Sequence, residues 1–132
     1  MNEKILLADD EAGIRKVLGI SLADSGYEVL TAVDGEEGLD LALSERPDLI
    51  ITDFQMPYMT GLELCNALAS NPETKSIPVL MLTARGYALE ADDLAVGNIK
   101  DVLSKPFSPR AILAQVQSLL AEADDRGGRE AA

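Results

Sequence analysis

Four stretches of this chain carry side chains able to hold a hard cation or a phosphate-like anion: Asp9-Asp10-Glu11, Asp53, Thr83 and Lys105. Each comes at the end of a short apolar run, over residues 4–8, 49–52, 77–82 and 102–103 respectively. If those runs are neighbouring strands, two adjacent acids and a third carboxylate crowd together. At roughly 4 Å and an effective dielectric of about 20, each like-charge pair costs on the order of 4 kcal/mol. Such a cluster either protonates or recruits cations. Lys105 supplies one positive charge, and an oxygen-loving divalent ion supplies the rest. The chain has no histidine and only Cys65 as a thiol, so the donor set selects a hard ion. Mg2+ fits, since it takes one or two carboxylates and completes its shell with water and phosphate oxygens. The same inventory suits phosphoryl transfer: one carboxylate attacks phosphorus, a metal neutralises the equatorial oxygens, and an ammonium and a hydroxyl hold the remainder. Asp53 is the natural nucleophile, a single acid opposite a pair that holds metal.

The elements that must position these groups follow from hydrophobic periodicity. Strands are predicted over 4–8, 27–32, 49–52, 77–82 and around 102–103, with Pro78 tolerable only at the start of the fourth. Helices are predicted over 12–24, with Ile14, Val17, Leu18 and Leu22 inward and Gly26 near the C-cap, and from Asp34-Gly35 to Pro47, with Leu39, Ala42 and Leu43 inward. Further helices are predicted over 61–69, over 87–96, and from Ser108 as N-cap and Pro109 as first helical residue, with Ile112, Val116, Leu119 and Leu120 inward. Regular alternation of strand and helix implies an α/β fold: a doubly wound five-stranded parallel sheet with helices on both faces. Function in such sheets gathers at the carboxyl ends of the strands, where the four stretches lie.

Composition bounds the alternatives. The 132 residues point to one domain, with 47% hydrophobic and 26% charged residues, a globular balance. Lys and Arg total 11 against 23 Asp and Glu, and the net charge of −12 disfavours nucleic acid and anionic lipid as partners. The absence of histidine excludes a Ser-His-Asp triad, a His-ligated zinc and an intrinsic phosphohistidine. One cysteine excludes an intrachain disulfide. No segment has the length of a transmembrane span or the form of a signal peptide, so a cytoplasmic location is expected.

Over roughly residues 3–122 the chain resembles a response-regulator receiver domain of two-component signalling, here read as a stand-alone regulator. The resemblance rests on Ala8-Asp9-Asp10-Glu11, on Asp53-Phe54-Gln55-Met56-Pro57-Tyr58-Met59-Thr60-Gly61, on Leu82-Thr83-Ala84 and on Lys105-Pro106-Phe107, in this order and on the matching strand ends. It implies the flavodoxin-like strand order 2-1-3-4-5. It also implies that Asp53 accepts a phosphoryl group from a phosphohistidine on a sensor histidine kinase or a histidine phosphotransfer protein. Asp10, Asp53 and the Gln55 carbonyl would ligate Mg2+, with Asp9 acting through water. Thr83 would close onto the phosphoryl oxygens, Lys105 would pair with them, and the Lys105-Pro106 bond would be cis. The switch would signal by binding a downstream protein through the surface from Thr83 to the last helix. Residues 1–122 then form the receiver unit and 123–132 a polar, flexible C-terminal tail. Three features depart from the family pattern. Val102 replaces the aromatic residue three positions before the lysine, the 97–101 stretch is one residue longer than common, and the positions two beyond Asp53 and Thr83 are Gln55 and Arg85.

Taken singly, the residues have plainer readings. Asp10 or Glu11 would serve as a helix N-cap, Thr83 as a strand end, Gly61 as a backbone requirement, and Cys65 as a buried inert thiol. A constitutive, unphosphorylated interaction module of the same fold and a phosphorelay intermediate are the alternative functions. A flavodoxin is disfavoured because Asp9-Asp10-Glu11 would repel a flavin phosphate. A haloacid-dehalogenase-type phosphohydrolase lacks its Asp-x-Asp signature here.

Overall fold

The computed structural model describes residues 3–83, 98–105 and 107–131, with side chains described as far as Ala123. Strands β1 (Lys4–Ala8), β2 (Glu28–Ala32), β3 (Leu49–Asp53), β4 (Val79–Thr83) and β5 (Ile99–Ser104) form one sheet. All neighbouring pairs are parallel, in the order β2-β1-β3-β4-β5. Helices α1 (Ala12–Asp24), α2 (Gly35–Glu45), α3 (Gly61–Ala69) and α4 (Pro109–Ala131) cover it. The predicted helix over 87–96, with Tyr87, Arg85 and the Lys105-Pro106 bond, lies outside the described residues.

The burial pattern follows from strand position. β3 and β4 are buried at every residue, as the inner strands of a sheet covered on both faces must be. Period-two alternation then divides their side chains between two cores. Leu6, Ala8, Ile50, Val79 and Met81 pack with Ala42 of α2 and Leu64, Cys65 and Leu68 of α3. Ile5, Leu7, Leu49, Ile51, Leu80 and Leu82 pack with Leu18 and Leu22 of α1 and Ile112, Val116, Leu119 and Leu120 of α4. Among the described residues two helices lie on each face, so the sheet is doubly wound, as its sequence pattern implies.

Local chemistry sets the element ends. Asp34 caps α2, its carboxylate accepting from Glu37 N–H, while Glu37 reaches back to Val33 N–H. Thr60 and Glu63 form a reciprocal capping box at α3. Ser108 accepts from Ala111 N–H ahead of Pro109, as expected of an N-cap followed by proline. Gly26 takes φ 99°, a conformation open to glycine, just after α1.

Two details differ from the sequence reading. Val17 is 54% exposed, because Leu18 and Leu22 already face the sheet and α1 presents only a narrow stripe to it. β5 is longer than predicted, and its extra residue forms a bulge: Val79 pairs with Ile99 but Leu80 with Asp101, leaving Lys100 out of register. The backbone of α4 is helical as far as Ala131.

Gly61 carries the tightest backbone contact around the candidate site. A Cβ there would lie 2.2 Å from the Asp53 carbonyl oxygen, whereas one at Gly19 on α1 would meet nothing within 4 Å. Gly61→Ala is therefore expected to lose about 1–3 kcal/mol in urea unfolding through overpacking. Gly19→Ala is expected to gain about 0.5–1 kcal/mol by removing the entropy cost of a mid-helix glycine. Equal shifts in the two variants would contradict the close approach of α3 to Asp53.

Candidate functional site

The register of the inner strands brings the predicted residues to one edge of the sheet. Ala8 lies opposite Thr52, so Asp9 and Asp53, each one residue further on, leave the sheet side by side. Asp53 pairs with Leu82 and Thr83 with Ser104, which sets Thr83 and Lys105 on the other side of Asp53. Lys105 N–H donates to the Thr83 carbonyl at 2.8 Å and continues the ladder past the end of β5.

The side chains converge on Lys105. Its Nζ lies 3.2 Å from Asp53 Oδ1, 3.4 Å from Asp9 Oδ2 and 3.3 Å from Glu11 Oε1. Carboxylate oxygens of Asp9, Asp10 and Asp53 all lie within 4.8 Å of one another, the separation a single cation could bridge. Above them opens a cleft of about 270 Å³ lined by Asp10, Glu11, Asp53, Gln55 and Lys105. Asp9 has no exposed surface, and Asp53 is 5% exposed. Thr83 is also buried, at the end of β4.

Electrostatics follow from this crowding. Burial lifts the Asp53 carboxyl, the Asp9 charge lifts it further, and Lys105 opposes both, leaving its pKa at about 6. Burial also raises Asp9, against the Glu11 N–H bond and the Lys105 charge. Burial works against the charge on Lys105, but Asp9, Asp53 and Glu11 outweigh it and hold its pKa above the ordinary lysine value. Asp9, Asp10 and Asp53 each offer a carboxylate oxygen, a donor type suited to a hard divalent ion.

The loop after β3 is held by backbone bonds. Phe54 N–H donates to Leu82 C=O at 2.7 Å and Gly61 N–H to Phe54 C=O at 2.8 Å, closing the segment from Asp53 to α3. Within it, Met59 N–H donates to Pro57 C=O at 2.7 Å and Tyr58 adopts φ 67° and is 84% exposed. Cys65 is buried in the core with its thiol pushed up to about 12, which makes it inert.

The plain N-cap reading of Glu11 does not describe its side chain. Glu11 occupies the N-cap position of α1 without a side-chain cap bond, and its carboxylate turns to Lys105 instead. Asp9 Oδ1 accepts from Glu11 N–H at 2.9 Å. One contact has no counterpart in the sequence reading: Arg15 Nη1 donates to the Asp9 carbonyl at 2.6 Å. Its signal is a basic residue one helical turn beyond the acids, where a long side chain can fold back over the strand end.

Comparison with known proteins is consistent across sequence and structure. The chain is 43% identical over 123 residues to the alkaline phosphatase synthesis transcriptional regulatory protein PhoP of Bacillus subtilis, covering 91% of this chain and 49% of that protein. It is 40% identical over 134 residues to the response regulator MprA of Mycolicibacterium vanbaalenii, covering 100% of this chain and 57% of that protein. The chain thus spans about half the length of the curated relatives it matches. The chemotaxis response regulator CheY4 of Vibrio cholerae superposes with a TM-score of 0.82 at 39% identity, over 89% of this chain and 98% of that chain. The family model for the response regulator receiver domain matches residues 5–117, and the chain belongs to that family.

Proposed function

We propose that this receiver domain is a phosphorylation-activated switch in which Asp53 accepts a phosphoryl group and the new anion is held by Lys105 and Thr83. The reading is carried by one ammonium, Lys105 Nζ, held 3.2 Å from Asp53 at the mouth of an acidic cleft. An incoming phosphoryl group finds a cation already beside the attacking oxygen. The Asp53 carboxylate forms the new O–P bond as the bond from phosphorus to the donor breaks, and the donor keeps that electron pair. With no histidine among the 132 residues, a phosphohistidine donor lies outside them, on a sensor histidine kinase or a histidine phosphotransfer protein.

Asp10 and Asp53, with the Gln55 carbonyl, would hold Mg2+, and Asp9 would act through water. When bound, Mg2+ supplies charge neutralisation for the phosphoryl oxygens. The fit rests on three carboxylates within 4.8 Å and on the raised pKa of Asp53, both signs of uncompensated negative charge. Phosphorylation adds about −1.5 to −2 charges and three acceptor oxygens. The buried Thr83 hydroxyl is a donor for one of them, a bond worth about 1–2 kcal/mol. That shifts a balanced equilibrium by roughly tenfold and biases the surface beyond Thr83 toward a protein partner. PhoP is named a transcriptional regulatory protein, but the −12 charge argues against these 132 residues being a nucleic-acid surface themselves.

Incubation with Mg2+ and acetyl phosphate is expected to add one phosphoryl group to wild type, by intact mass, and none to Asp53→Asn. No uptake in wild type would favour the constitutive module. Thr83→Ala is expected to keep uptake while losing most of the phosphorylation-induced amide shifts beyond β4; full-sized shifts would contradict the hydroxyl's role.

The charge crowding has its own consequence in metal-free protein. With its folded pKa at about 6 and an unfolded value near 3.9, Asp53 binds more protons folded than unfolded between those values. Stability therefore falls as pH rises from about 4 to about 6, and the cost persists above that window. In EDTA at pH 7.5, Asp53→Asn is expected to gain about 2 kcal/mol in urea unfolding. A loss of stability would show that the Lys105 pair outweighs the crowding.

A further inference from the structure

Asp9 stands one residue beyond β1, whose last register pairs join Ala8 to Ala32 and to Thr52. With no exposed surface, it has no water to turn to. Each of its polar groups is nonetheless occupied. Its N–H donates to Ala32 C=O at 3.1 Å, Oδ1 accepts from Glu11 N–H at 2.9 Å, and Oδ2 faces Lys105 Nζ at 3.4 Å. The carbonyl accepts from Arg15 Nη1 at 2.6 Å, a short charge-assisted bond from a side chain that phosphoryl transfer itself does not use.

The effect of that bond falls on Asp10. The Asp9 carbonyl and the Asp10 N–H belong to one rigid peptide plane, so holding the carbonyl sets the direction in which the chain carries Asp10. The Asp10 carboxylate is exposed, and among the described residues no side-chain hydrogen bond or ion pair holds it. Its place within 4.8 Å of Asp9 and Asp53 comes from its backbone. We propose that Arg15 is a positioning residue of the phosphotransfer site: a guanidinium on the first turn of α1 that locks the Asp9–Asp10 peptide and keeps the acid cluster in a metal-ready arrangement.

Charge and geometry act here with opposite signs. A cation beside the cluster repels a divalent ion, so charge alone predicts that neutralising Arg15 tightens Mg2+ binding. Loss of the anchor predicts weaker binding, because outer partners of metal ligands typically govern affinity by about tenfold or more.

The test is calorimetric titration of Mg2+ alone into metal-free wild type, Arg15→Gln and Arg15→Lys, with a thermal melt of each metal-free protein. Arg15→Gln is expected to bind Mg2+ about tenfold more weakly, and Arg15→Lys, with one donor in place of a fork, to fall between it and wild type. Equal or tighter binding by Arg15→Gln overturns the proposal, including the case in which only its melting temperature falls, the mark of a purely structural role. Should the glutamine variant not fold, Arg15→Lys decides: it keeps the charge, so affinity equal to wild type overturns positioning and weaker binding supports it. The proposal rests on the Mg2+ reading of the cleft. Wild type that binds no Mg2+ overturns both, whereas a wild-type affinity that Arg15→Gln leaves untouched overturns positioning alone.

Discussion

Lys105 Nζ lies within 3.4 Å of carboxylates from Asp9, Glu11 and Asp53, drawn from the ends of two strands and the start of a helix. Gathering acids this closely in partly buried space is unfavourable, and one ammonium offsets only part of it. The remaining negative charge is what makes the cleft chemically useful. It favours a divalent cation and keeps a carboxylate poised beside the cation that would receive a phosphoryl group. A well-neutralised cluster would be more stable and would have nothing to bind.

Holding that unfavourable arrangement needs a rigid frame, and the sheet supplies it. The inner strands are buried on both faces, so their register cannot slip by one residue without turning core side chains to the wrong layer. Asp9, Asp53 and Thr83 inherit that precision because they sit on, or one residue beyond, strands locked this way. The loop after β3 is closed at both ends by backbone bonds, and α3 approaches so nearly that Gly61 has no room for a side chain. Arg15 and Glu11 extend the frame from the start of α1, one through the Asp9 carbonyl and the other through Lys105.

Much of the fold was legible because its cause is periodic. Runs such as Leu49–Asp53 advertise a doubly covered strand, and Ile112, Val116, Leu119 and Leu120 mark one face of α4 by spacing alone. Val17 was misplaced because periodicity names every apolar residue near a stripe, while the width of the contact depends on the neighbouring elements. The bulge at Lys100 shows in sequence only as an extra residue; the ladder with β4 decides where that residue leaves the register. Glu11 could be counted among the acids but not assigned, since an N-cap position and an ion pair with Lys105 look alike until the two segments are brought together.

The amino-acid sequence alone determined the alternation of strands and helices, the identity of the acids, threonine and lysine at strand ends, and the hard-donor character of any site they form. These are properties of residue type and short-range spacing. Only the tertiary structure decided that Asp9 is buried while Asp10 is exposed, that one lysine serves three carboxylates, and that Arg15 reaches back to a strand carbonyl. Those outcomes depend on contacts between residues up to 96 positions apart, as in the pair of Lys105 with Asp9. No local pattern encodes the distance between two chain segments until packing has set it.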